Sequence, residues 1–431
     1  MDCWVVRCRP RVPSVRCVVF MCAVAVSGCG GGERPSVAAL TTSAYLEDFD
    51  SVWTFVQNNY ANLDDKAVDW DSAHRQLRAR VENIGAHQDF IGLLEDLIAH
   101  LYDHHAHLGT HRLSSPRLVP SGTDLWAEHD AAGLPVITQV RRGSNAARVG
   151  LRAGMEVVAI DESPVADAIE RRLPAAVDRE IPAARDWALR VLLAGRHIAP
   201  VRLEVRTSGG LKRVEFEPGV ADRMESALTA EGSDEGIVHV RIHNSLGQAA
   251  LVREWDAALE TFRATHGLIL DLRDTPGGGN TTVARGILGR LLSNVQPYQR
   301  HELASEERLY GVARVWVEYV APRGPFTYSK PVAVLVGRWT GSMGEGVAIG
   351  ADGMGRAAVF GSGMAGLAGA LQTHTLKHTG IPVRVPTERL YHVDGTRREA
   401  FVPPFPVDPA SRNGDPALDA ARRWIHAQSE T

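Results

Sequence analysis

"VAVLVGRWTGSMGEGVAIGADG", residues 332 to 353, decides how the chain is read. An apolar run of strand type enters a glycine-rich turn, and a helix-forming segment leaves it. A short continuous apolar run bounded by turn residues predicts a strand buried on both faces, as in a parallel sheet. Ser342, followed three residues later by Glu345, has the S-x-x-E spacing of a capping box. A serine at a strand-to-helix turn also presents its hydroxyl beside main-chain N–H groups and the positive end of a helix dipole. Ser342 is therefore a helix cap, a nucleophile, or both. The full G-x-S-x-G elbow is absent, because Thr340 stands where the first glycine belongs.

Outward from this stretch, strands alternate with helices from Gly236 onward. "GIVHVRI", a helix around "ALVREWDAALETFRA", "GLILDLRD", a helix after "GGGN", "PVAVLVG", the helix after Ser342 and "AAVFG" follow in order. Such alternation predicts an α/β-layered core, a mixed sheet with helices, over residues 219–412. Ligands gather at the carboxyl ends of the strands in such sheets. "GLILDLRDTPGGGN", residues 267 to 280, ends a strand in that position. It lacks the Lys-Ser/Thr ending of a P-loop and the dinucleotide spacing, so its glycine N–H groups suit an oxyanion better than a phosphate.

Upstream, apolar residues recur at helical spacing, with Phe49, Val52, Trp53 and Val56 as one set and Phe90, Leu93, Leu94, Leu97 and Ile98 as another. They predict an N-terminal helical domain over 44–115. Short alternating segments such as "LPVITQV" and "MEVVAID" between glycine turns predict a β-rich domain over 116–218, with a helix in "RDWALRVLLAG" and a closing hairpin around Gly209-Gly210. Residues 413–431 form a C-terminal helix or tail. The whole is a multidomain α/β protein. Its 431 residues, 44% hydrophobic content and net charge of -4 fit a globular chain, and the charge gives no reason to expect nucleic acid.

All five cysteines lie within the first 29 residues, where Arg7, Arg9, Arg11 and Arg16 precede the apolar "CVVFMCAVAV". That run is too short for a bilayer core of about 30 Å and has the order of an export signal, over residues 1–28. "VSGC" resembles the lipobox of bacterial lipoproteins, which makes Cys29 the expected lipid-bearing residue and places the protein, exported, at the cell envelope. A plain cleaved secretory signal is the alternative. Residues 29–43 then read as a flexible tether.

"RRGSNAARVGLRAGMEVVAIDESPV", residues 141 to 165, resembles a PDZ domain of the bacterial protease type. "LILDLRDTPGGG" and "VAVLVGRWTGSMGEGVAIGADGMGRAAVFG", behind a helical segment and a PDZ-like unit, resemble the C-terminal processing peptidase family, the tail-specific and tricorn-core-like serine proteases. That resemblance implies a peptidase core with Ser342 as nucleophile. It implies oxyanion donors at Met343 and at Gly277 or Gly278, and it leaves the choice between the glycines open. The tail-specific branch has a general-base lysine in a T-F-G-K-G loop, but here "GSGMAGLAG" puts Leu367 at that position. The tricorn-like branch instead uses a histidine in a D-x-H context. "LYDHHAHLGTHR" offers His105 after Asp103, with His104 and His107 as neighbours. The family's C-terminal glutamate corresponds to Glu399 in "DGTRREAFVPPFPVD", although Pro403-Pro404 breaks the pattern.

Three functions follow. The leading expectation is an exported serine endopeptidase needing no cofactor, which cleaves peptides or unfolded proteins held by the PDZ-like unit. Ser342 attacks, His105 acts as base and then acid, and Glu399 supports it. A catalytically degenerate binding protein for peptides or apolar ligands is the second. The third is a zinc hydrolase using His100, His104, His107 and His111, which would share one face if the preceding helix ran through them.

Overall fold

The computed structural model describes residues 40–219, 226–408 and 414–429. The expected export signal, Cys29 and most of the tether lie outside them.

The centre is a six-stranded sheet. Its order is Phe405–Pro406, Ala358–Gly361, Val332–Val336, Gly267–Asp271, Ile237–Ile242 and Leu228–Gly232. Every neighbouring pair is parallel except the last, which is antiparallel. Alternate residues of one strand serve two cores, as the period of two requires. Leu268 and Leu270 pack with the helices Ala250–Thr261, Thr281–Leu288 and Met343–Gly353 on one face. Ile269 packs with Ala417, Ala421 and Ile425 of the helix Pro416–Ser429 on the other. The apolar runs read as doubly buried strands are therefore just that, and the fold class is the α/β layering expected from the sequence.

A second, antiparallel sheet was not visible in the sequence. It comprises Gln296–Leu303, Arg314–Val320, Ala370–Thr375 and Pro382–Tyr391, together with the two-residue strand His107–Leu108. His107 pairs with Arg384 and Leu108 with Val383. Leu376, Ile381, Val383 and Val385 of this region enter the core of the helices Thr42–Asn59, Trp70–Val81 and His87–Ala99. Residues far apart in sequence thus share one hydrophobic cluster.

The β-rich unit contains Leu125–His129, Pro135–Val140, Glu156–Ile160, Val201–Thr207 and Gly210–Phe216, all antiparallel, with Ser163–Pro164 on Glu156–Ile160. Val201, Leu203 and Val205 point inward, while Arg202 and Arg206 on the alternate positions pair outward with Glu215 and Glu156. The helix Pro182–Ala194 supplies Trp187, Ala188, Leu189 and Val191 to the same core. Trp339 joins this unit to the central sheet: it clusters with Val119, Trp126 and Ala194, and its indole N–H donates to the Thr123 carbonyl at 2.9 Å.

Candidate active site

Ser342 stands between the strand Val332–Val336 and the helix Met343–Gly353 with φ +51° and ψ -110°. Side chains with a Cβ rarely adopt this backbone, and such strain persists only where the surroundings enforce it. The enforcement comes from Glu345. Its fully buried carboxylate accepts the Ser342 N–H at 2.7 Å, completing the capping box, and also accepts the N–H groups of Gly366 at 2.9 Å and Leu367 at 3.2 Å. Burial pushes its carboxyl up to about 7, against the opposing pull of the Arg398 charge and these three donors.

The two glycine-rich loops are joined beyond the ends of their strands. Thr275 N–H donates to the Trp339 carbonyl at 3.1 Å and Gly341 N–H to the Thr275 carbonyl at 3.2 Å. The Thr340 hydroxyl, fully buried, donates to the Leu272 carbonyl at 3.0 Å. This seam sets Gly278, itself at φ +63°, against the serine turn. A Cβ on Gly278 would collide with Ser342 Cβ and stand 2.9 Å from Ser342 Oγ and 3.0 Å from Met343 N. Gly277 is engaged elsewhere: its N–H donates to Asn244 Oδ1 at 2.7 Å. Gly278 N–H makes a longer bond, 3.2 Å, to the Thr275 carbonyl. Met343 opens the helix, where an N–H has no intrahelical acceptor.

His105 is 5% exposed. Its Nδ1 lies 2.7 Å from the carbonyl oxygen of Ala368. A carbonyl can only accept, so Nδ1 carries the proton and Nε2 keeps its lone pair. Burial, and next the positive Arg398, lower the imidazole to about 4, so the ring is neutral at pH 7. Asp103 shapes the segment: Oδ1 accepts the His105 backbone N–H at 2.8 Å and Oδ2 accepts the Tyr60 hydroxyl at 2.8 Å. The paired strand His107–Leu108 anchors it two residues later.

One loop therefore serves both sides. Gly366 and Leu367 bind the glutamate behind Ser342, and Ala368 binds His105. Arg398, 1% exposed, donates to the carbonyls of Leu367 at 2.8 Å and Gly369 at 2.7 Å, on either side of Ala368. Leu367, at the position where a lysine serves other chains, is buried, and its Cδ1 would stand 3.2 Å from a Cβ on Gly341. No hydrogen bond joins the His105 ring to the Ser342 hydroxyl among the described residues. Glu399 does not bond His105 either. One of its oxygens is 3.8 Å from Arg397, and the other, buried, has no partner. Glu399 lines a cavity of about 600 Å³ with Ala368, Asp103 and His104, whose Nε2 is likewise buried and unpartnered.

Two family models match the chain. Peptidase family S41 matches residues 236–404, which hold both glycine-rich loops, and the tricorn protease C1 domain matches residues 42–99. The segment that carries both glycine-rich loops is therefore similar to peptidase family S41. Solved structures share the fold at low identity. Mature CPAF superposes with a TM-score of 0.59 at 15% identity, over 90% of this chain and 97% of that one. The photosystem II D1 C-terminal processing protease gives 0.55 at 15%, over 90% and 98%. A peptidase described as putative, from Parabacteroides merdae, gives 0.53 at 15%, over 89% and 96%. No curated protein sequence matches the chain.

The histidine face required by the zinc reading does not form. The helix stops at Ala99, Tyr102 turns the chain at φ +31°, and the four imidazoles separate. His100 Nδ1 bonds the Asp96 carbonyl, His107 Nδ1 bonds the His105 carbonyl, His104 stacks on Trp187, and His111 stacks on His197. Sequence reasoning missed Asn244, Arg398 and the Ala368 carbonyl. A polar residue that tolerates positive φ just past the end of a strand, as Asn244 does at +51° two residues beyond Ile242, is the one local signal that could have flagged any of them.

Proposed function

We propose that the chain is a serine peptidase in which Ser342 is the nucleophile and His105 the general base. The observation that carries this reading is the Ser342 turn, a strained serine backbone at a helix N-terminus with Gly278 against it. Ser342 Oγ attacks the scissile carbonyl carbon as its proton passes to His105 Nε2. The N–H groups of Met343 and Gly278 receive the oxyanion, Gly277 being held by Asn244. The protonated imidazole then gives its proton to the leaving amine, and water repeats the sequence on the acyl-enzyme. The Ala368 carbonyl fixes the tautomer, a role more often given to a carboxylate. Glu399 bonds neither Ser342 nor His105; it shares a cavity with Ala368, whose carbonyl holds the ring.

The substrate in this reading is an unstructured peptide or protein segment, presented by the β-rich unit acting as a PDZ-like module. The N-terminal export signature and Cys29 support a lipid-anchored envelope protein. No helix among the described residues is long and apolar enough to cross a membrane.

A serine-directed fluorophosphonate tests the reading directly. The wild-type chain is expected to label stoichiometrically, and Ser342→Ala and His105→Ala to lose labelling together with peptidase activity. Absence of labelling in the wild type would leave a binding protein on a peptidase fold, the reading that Leu367 in the lysine position favours.

A further inference from the structure

A second polar site lies behind the two catalytic loops. At the carboxyl ends of Gly267–Asp271, Val332–Val336 and Ala358–Gly361, a cavity of about 210 Å³ opens between the central sheet and the strand Pro135–Val140 of the β-rich unit. Five arginines line it: Arg141, Arg142, Arg241, Arg273 and Arg338. Only two acids, Asp274 and Asp415, line it with them.

The ion pairs do not use up the guanidinium groups. Arg141 holds Asp274 at 2.8 Å, which leaves Arg241 a looser 3.6 Å approach to the same carboxylate. Arg142 and Arg273 share Asp415, and Arg273 also binds Asp271. Arg338 binds Glu128 at 2.8 Å, but Glu128 is shared with Arg190. The Nε donors of Arg141, Arg241 and Arg338 are buried without any acceptor. Buried donors are nearly always satisfied, and of the nine described arginines whose Nε is orphaned three line this one cavity, where a single ligand could supply the acceptors. Guanidinium forks match oxyanions with two or more oxygens, and the volume suits a small one.

We propose that this cavity binds a small multivalent oxyanion, inorganic phosphate or a short dicarboxylate. The ion would hold Arg141 of the β-rich unit against Arg241, which follows Ile237–Val240 on its strand, and against Arg338, four residues before Ser342. It fastens the β-rich unit to the nucleophile loop. This site stands whether or not Ser342 is catalytic.

The experiment uses the full chain, titrated with phosphate and separately with succinate, by calorimetry and thermal unfolding, against chloride at matched ionic strength. Saturable binding of one ion per chain is expected, with a melting temperature that keeps rising with the logarithm of ion concentration. Arg241→Gln should weaken binding by at least about tenfold, and Arg241→Lys, which keeps the charge and loses the fork, should fall between. A response to phosphate alone assigns a tetrahedral ion, and one to succinate alone a dicarboxylate. A melting shift that chloride reproduces, or Arg241→Lys and Arg241→Gln both binding as the wild type does, overturns the proposal.

Discussion

Adding a methyl group at Gly278 would drive it against Ser342 Cβ and within 3.0 Å of Met343 N, on a backbone at φ +63° that already disfavours side chains. Gly278→Ala keeps the N–H but displaces it, and is expected to reduce kcat/KM by about 10²–10³, the scale of one oxyanion donor, with circular dichroism unchanged. Activity near wild type would show that the oxyanion sits elsewhere. His105 makes a prediction of its own. A base lowered to about 4 stays unprotonated through the mildly acidic range, so the acid limb of kcat/KM should fall near about pH 4. A limb near the ordinary histidine value would mean that water reaches the ring and that Arg398 does not oppose its charge. Ser342, His105 and the glycines could be named as candidates from the sequence because each has a side-chain identity or a turn requirement. The Ala368 carbonyl could not, since any residue supplies a main-chain oxygen. Arg398 stands beside Arg397 in a charged run that marks neither of them, yet it is buried and donates to two carbonyls.

Among the elements, the strand His107–Leu108 is one of the shortest and the most consequential. It fixes the His105 segment to Pro382–Tyr391 through two residue pairs. Gly109→Pro removes the main-chain donor that the Pro382 carbonyl accepts at 2.7 Å and restricts φ beside that pairing. Its expected signature is a loss of kcat of at least about tenfold, from a displaced base, with far-UV dichroism essentially retained. An unchanged kcat would mean that Asp103 alone holds the segment. The parallel strands of the central sheet were legible because burial on both faces writes an unbroken apolar run. The antiparallel sheet was not, because its strands carry charge that is satisfied across the sheet. Arg389 meets Glu302 at 2.7 Å, and His301 meets Glu388 at 2.8 Å. Read singly, such segments look like solvated loops.

Over the whole molecule, Glu345 and His105 make stability depend on pH in opposite senses. With a folded value of about 7 against an ordinary 4.5, Glu345 keeps a proton in the folded state that the unfolded chain has released. Its contribution therefore falls as pH rises from about 4.5 to 7. His105, about 4 against 6.5, does the reverse: the unfolded chain takes up the proton first, so its contribution rises over about 4 to 6.5. Urea unfolding at pH 5, 6 and 7 should show Glu345→Gln gaining stability relative to wild type as pH increases. Parallel curves would mean that the buried carboxyl is not shifted.

The pairing of His107–Leu108 with Arg384 and Val383 also sets a schedule. A polypeptide still emerging from the ribosome, or threaded unfolded across a membrane, has made its histidine long before the strand that seats it. On the proposed mechanism such a chain cannot cut its neighbours in transit. Hydrolysis then becomes available only when these distant parts of the sequence have met, so completion of folding is itself an activating event.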